Sequence, residues 1–162
     1  MSVVVSDTSP LHYLILCDAQ SALPRLFQKV VIPPTVFREL QQPNTPALVR
    51  DWASALPSWV EVQAPKSLKL ALDVDAGELE AICLAQEIEA AALLIDDRAG
   101  RNAAIRCGLA VIGTIGILEQ AAARGLLELP LAAERLRQTN ARLDPDLIRG
   151  ALERDQARKR AR

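Results

Sequence analysis

The chain is poor in the residues that most active sites are built from. Among its 162 residues there is one histidine, one tyrosine, one methionine, two phenylalanines and two tryptophans. His12 follows Pro10 and Leu11 in a helical pattern and reads as a packing or surface residue, which leaves no Ser–His or Cys–His pair for nucleophilic catalysis. Cys17, Cys83 and Cys107 are odd in number, widely spaced and set in apolar segments, without a C-x-x-C. Disulfides and zinc are therefore poor expectations, and buried thiols good ones. With aromatics at 3%, Trp52 and Trp59 are expected to be used in packing rather than as stacking platforms for bases. Acids and bases nearly cancel at a formal charge of −1, so no global field points to a polyanion or a membrane surface. No apolar run reaches membrane length, and the start of the chain lacks the basic flank and cleavage region of a signal peptide; the expectation is a cytoplasmic protein. Internal repeats and low-complexity linkers are also missing.

What is present is a core and a rhythm. Half of the residues are apolar, enough for one buried core. Short aliphatic runs at 3–6, 30–32, 92–95 and 109–112, apolar on both faces, suit parallel strands covered by helices, and "WVEV" adds a short edge strand. Each run leads into a helical pattern: Ser9 as cap with Pro10 at the first helical position, Pro33-Pro34-Thr35, Asp96-Asp97, and Thr114 as cap of a helix stopping at Gly125. This alternation predicts an α/β fold with a central parallel sheet of four to five strands. Beyond Pro130 a helical hairpin follows, and the basic end "RDQARKRAR" has no apolar face and is expected to fray. The expected division is a main α/β domain over 1–129, a helical extension packed on it over 130–153 and a basic tail over 154–162.

Ligands in open parallel sheets bind outside the carboxyl ends of the strands. Asp7 and the pair Asp96-Asp97 stand at two such ends. Glu39 falls on the flank of the apolar stripe Val36, Phe37, Leu40, where it can lie along the rim or simply be half-solvated. Glu78 opens the helix "GELEAICLA"; it has a local alternative as the far arm of a capping box with Asp75. Asp7 and one of Asp96-Asp97 have a similar alternative as helix caps. Carboxylates gathered from distant parts of a chain repel one another and need protonation or a hard cation to coexist. Mg²⁺ or Mn²⁺ fits such oxygen ligands, and a divalent ion that acidifies and positions water and neutralises a phosphoryl oxygen suits phosphodiester hydrolysis. An aspartyl phosphotransferase would want Asp-x-Asp, but the second residue after Asp7 is Ser9.

The segments "VVSDTSPL", "VVIPPTVFREL", "DAGELEAICLA" and "ALLIDDRAGRNAAIRCGLAVIGTIGIL" together resemble the PIN-domain nucleases, within them a bacterial branch similar to VapC-type toxins. The final "ARLDPDLIRGAL" resembles the C-terminal helical extension of one PIN subgroup. The resemblance implies a three-layer α/β/α sandwich with the first strand beside the one ending at Ile95. It implies Asp7, Glu39, Glu78 and either Asp96 or Asp97 as the catalytic, metal-holding acids, with one or two Mg²⁺ or Mn²⁺ ions. The family pattern of threonine, any residue, aspartate favours Asp97, but Ile95 stands where the threonine would be, and both aspartates stay open. It also implies an RNA substrate, a homodimer and often an antitoxin partner. Arg98, Arg101 and Asn102 are candidate RNA-phosphate contacts on the same rim. The alternative is a PIN-like module that binds RNA or protein without cutting.

Overall fold

Three consecutive valines open a sheet in which every pairing is parallel. The structure, a computed structural model, describes residues 2–68 and 71–162. In chain order it runs β1 (Val3–Ser6), α1 (Thr8–Leu16), a 3₁₀ turn (Gln20–Ala22), α2 (Leu23–Leu26), β2 (Lys29–Ile32), α3 (Pro34–Glu39), α4 (Ala47–Ser54), β3 (Val60–Val62), α5 (Ala76–Glu87), β4 (Leu93–Leu94), α6 (Arg98–Arg106), β5 (Val111–Ile112), α7 (Thr114–Ala123), α8 (Leu129–Arg137) and α9 (Pro145–Arg160). The five strands lie in the order β3-β2-β1-β4-β5, with Val4 opposite Val30 and Ser6 opposite Leu94. The chain builds outward from β1 through β2 to β3, then returns across the sheet to lay β4 on the other side of β1. The switch point therefore falls between β1 and β4.

Alternation along the strands sorts the core into two layers. Val4, Val30, Ile32 and Leu94 face one way, into a cluster with Leu11, Leu14, Val36, Val49, Ile117, Leu129 and Ala151. Val5, Val31, Leu93 and Ile95 face the other way, into a cluster with Ala81, Ile82, Leu84, Ala103 and Ala104 of α5 and α6. Both faces of the strands are buried, which is why the runs read as continuous β-branched and aliphatic stretches rather than alternating ones. The result is the expected three-layer α/β/α sandwich, with α8 and α9 packed against α7 and each other.

Several local expectations meet the structure. Gly108 and Gly125 close α6 and α7 at φ of +82° and +72°, where a β-carbon would be strained. Trp52 and Trp59 sit with ring centroids 6.1 Å apart, both against the larger core cluster. Cys17 and Cys83 are buried thiols, while Cys107 is only half-buried. Among the described residues no helix is long and apolar enough to cross a membrane.

The basic end does not fray: α9 continues to Arg160. The reason is Asp155, only 2% exposed, which takes an ion pair from Arg158 and one of 3.2 Å from Lys159. Arg154 adds a two-pronged contact to Glu119 of α7, and Lys159 reaches Glu128. The charged face is thus a docking face, which apolar periodicity does not reveal. Asp155→Ala is expected to lower stability by about 2 kcal/mol, read by urea denaturation, because it leaves two cations without their buried partner.

Candidate metal centre

Four helix amino ends meet at one rim of the sheet, because each parallel βα unit sets the start of its helix beside the carboxyl end of its strand. Those ends carry partial positive charge, which is where acidic side chains are stabilised. Asp7 occupies the N-cap seat of α1 with extended backbone, yet its side chain makes no capping hydrogen bond. The cap expected at Ser9 is not formed, since α1 already begins at Thr8 and Ser9 lies inside the first turn. Asp7 therefore holds the N-cap seat without capping α1. The residue is 7% exposed, and its backbone amide donates to Leu94 of β4 at 2.9 Å, fixing it at the switch point.

Glu78 enters from the opposite layer. Asp75 caps α5 by accepting from the Glu78 amide at 2.8 Å, so half of the capping box exists. The reciprocal arm does not: the Glu78 side chain is 6% exposed, and its Oε2 is buried without a hydrogen-bond partner. It has room only because Gly100 has no side chain. A β-carbon there would lie 2.1 Å from Glu78 Oε2 and 2.7 Å from Ile95 Cδ1. Gly77 is similarly tight against Glu39, whose Oε1 would stand 3.1 Å from an added β-carbon. Glu39, the last residue of α3, accepts a hydrogen bond from the Thr8 hydroxyl on its Oε2.

The aspartate pair divides its work. Asp97 caps its own helix, accepting from the Gly100 amide at 3.0 Å. Asp96 caps the next one at a distance, accepting from the Thr114 amide and the Thr114 hydroxyl, each at 2.7 Å. Thr114 is the first residue of α7 rather than its N-cap, which is Gly113. Arg101 donates to the Ile95 carbonyl at 3.0 Å, and its charge favours the ionised form of Asp96. Thr114→Val is expected to weaken folding by about 1–2 kcal/mol, seen as a lowered thermal midpoint, since one carboxylate oxygen loses its donor in a partly buried place.

Burial and mutual repulsion set the electrostatics. Asp7 is pushed up from its ordinary 3.8 to about 7, first by desolvation and then by the charges of Asp75, Glu39 and Asp96, with the Thr8 amide opposing. Glu78 is pushed up to about 9 by desolvation, by a carboxyl–carboxyl hydrogen bond with Asp75, and by the charges of Asp75, Asp7 and Asp97. Asp96 is also raised by burial, against the pull of Thr114 and Arg101. The structure thus brings Asp7, Glu39, Glu78, Asp96 and Asp97 to one rim, and adds Asp75, which the sequence shows only as a cap. Among the described residues no group of three or more Asp, Glu, His or Cys side chains is drawn tightly enough to hold a metal ion as it stands. Each acid leans on a local donor or a neighbouring carboxyl instead. The donor set still fits a hard divalent cation: all oxygens, two of the acids nearly buried, and one oxygen with no other partner. Arg98 and Arg101 line a cleft beside Asp96 and Asp97, whereas Asn102, exposed on α6, is not part of its lining.

A three-layer parallel sandwich with acids crowded at the β1/β4 switch point defines the class of PIN-like proteins. The chain belongs to the PIN domain family, whose model matches residues 3–157. Domains of this family are generally nucleases that use divalent metal ions. Among solved structures the chain is similar to a PilT N-terminus domain protein, SSO1118, from the archaeon Sulfolobus solfataricus P2. The identity is 18%, the TM-score 0.51, and the match covers 87% of this chain and 99% of that one, a likeness of fold. Comparison with curated proteins gives no match.

Proposed function

We propose that the chain is a Mg²⁺- or Mn²⁺-dependent endoribonuclease of the VapC-like branch, acting on RNA phosphodiester bonds. The observation that supports this most is the buried pair Asp7 and Glu78, delivered from opposite layers, both held protonation-prone by burial and then by neighbouring acids, with Glu78 Oε2 left unpartnered. A fold retains such a cluster at a cost in stability, and a cation relieves that cost. Asp7, Glu39 and Glu78 would hold the ion. Asp97 joins them more readily than Asp96: it gives only one oxygen to its helix cap, whereas both Asp96 oxygens are taken by Thr114. A divalent ion there supplies Lewis-acid neutralisation of phosphoryl charge and acidifies water. Asp96, tied to α7, keeps that helix end and the rim in register, and Arg98 and Arg101 offer charge to the substrate backbone. A homodimer and an antitoxin that covers the rim belong to the same reading, as does action in the cytoplasm.

Calorimetry with Mn²⁺ and cleavage of a labelled single-stranded RNA, done on one preparation, test it. Saturable Mn²⁺ binding and cleavage that stops in EDTA are expected. Absence of Mn²⁺ binding would leave a non-catalytic PIN-like module, and cleavage that persists in EDTA would overturn the proposal.

A further inference from the structure

A cleft of about 830 Å³ opens beside Asp96 and Asp97, and its far wall is made by the α8–α9 connector. That volume lies within the roughly 300–1,000 Å³ usual for small-ligand sites. The acids around it are all engaged: Asp96 by Thr114, Asp97 by the α6 amide, and Asp144 by the Asp146 amide of α9 at 2.8 Å. Of its three arginines, Arg101 is held by the Ile95 carbonyl and the other two are not engaged. The side chains of Arg98 from α6 and Arg142 from the connector have no hydrogen bond and no ion pair with any described residue, although carboxylates line the same cleft. Asn140, also on the connector, has no partner either. Tyr13, the only tyrosine of the chain, comes from α1 and lines the same cleft; its phenol is pushed up by burial and by Asp96, with Arg142 opposing. Leu143 and Leu147 form an apolar back wall shared with a second cavity of about 430 Å³, so the cleft continues along the connector toward α7.

We infer that this cleft is the nucleotide-holding subsite of the enzyme, in which Arg142 and Arg98 grip a backbone phosphate of single-stranded RNA while Tyr13 and Asn140 hold the adjoining base. The inference rests on the ribonuclease reading above and deepens it. Two unpaired guanidiniums about a cleft suit a phosphate, which takes forked N–H donors. One aromatic ring and one amide at the same cleft suit a base, which needs a stacking surface and an edge partner. Arg142 and Asn140 lie some 45 residues beyond the aspartate pair, on the connector between the last two helices, so the C-terminal hairpin makes one wall of the substrate path.

The test is fluorescence anisotropy of a mixed-sequence single-stranded RNA on the full chain in EDTA, where binding is read without cleavage, for the parent and for Arg142→Gln, Tyr13→Leu and Arg106→Gln. Arg106 removes the same charge from the far end of α6, at the opposite edge of the sheet. Arg142→Gln is expected to weaken binding about tenfold and to reduce the salt slope by about one. Tyr13→Leu, which keeps apolar bulk on α1, is expected to weaken it about tenfold with the slope unchanged. Arg106→Gln is expected to bind as the parent does, and all three variants to keep the parent's Mn²⁺-induced rise in thermal midpoint. Equal affinity of the parent and Arg142→Gln, or equal loss in Arg106→Gln, overturns the subsite while leaving the nuclease reading intact. A parent that binds neither RNA nor Mn²⁺ overturns both.

Discussion

Asp7→Asn is expected to abolish metal-dependent RNA cleavage, by about a thousandfold or more, while making the metal-free protein more stable. The two effects have one cause. The Asp7 carboxyl is 7% exposed and faces the charges of Asp75, Glu39 and Asp96, so its proton is held up to about pH 7 in the folded chain. In the unfolded chain it leaves near the ordinary 3.8. Below about pH 4 both states are protonated and nothing is lost. Between about 4 and 7 the unfolded state has released a proton that the folded state keeps, so stability falls as pH rises. Above about 7 both are ionised and the penalty is constant, roughly 2–4 kcal/mol from a shift of about three units. Asparagine keeps the shape and removes the charge. Its thermal midpoint in EDTA should therefore exceed the parent's by about 5–10 °C at pH 8 and match it near pH 4. Mn²⁺ should raise the midpoint of the parent, since an ion that binds only the folded state stabilises it by mass action, and should leave the variant unmoved. If the variant is no more stable than the parent at pH 8 in EDTA, the carboxylate cluster is not strained. If it cleaves RNA as fast as the parent, Asp7 is not needed for catalysis.

The layering and the rim were legible because they follow from strong local signals. Valine runs at 3–5 and 30–31 on both faces specify buried parallel strands, and an acid directly after a strand lands at the carboxyl edge whatever the details of the turn. The capping pattern was less legible. Ser9-Pro10 has the spelling of a helix start, yet the chain enters α1 two residues earlier, because the Asp7 amide is already committed to β4 and the backbone can turn there. Thr114 likewise spells a cap and instead serves as the donor pair for Asp96, a partner 18 residues away that no local pattern names. The distinction between Asp96 and Asp97 is of this kind: adjacent in sequence, they point to α7 and to α6 because the backbone alternates at the strand end. Arg142 and Asn140 were invisible for the same reason, since a connector shows its purpose only when the helices on each side of it have docked.

Gly100→Ala should carry the second large effect, with the opposite sign on stability. In an ordinary first helical turn, alanine for glycine is favourable by up to about 1 kcal/mol. Here the added methyl would stand 2.1 Å from Glu78 Oε2 and 2.7 Å from Ile95 Cδ1. Glu78 is buried with little room to swing, and Ile95 is fully buried in the layer of α5 and α6. Overpacking of this kind costs about 1–3 kcal/mol, so the metal-free variant should melt lower than the parent, unlike Asp7→Asn. Displacing Glu78 should also remove most of the Mn²⁺-induced rise and the RNA cleavage, although no ligand has been deleted. A double-mutant cycle with Glu78→Ala isolates the contact: truncating the obstructing carboxyl should cut the penalty of Gly100→Ala by about half or more, leaving only the Ile95 contact. If the penalty is the same in both backgrounds, Glu78 is not what Gly100 makes room for. If it shrinks as expected, the missing side chain at position 100 is part of the acidic site, because it lets a glutamate from one layer reach the aspartates of the other.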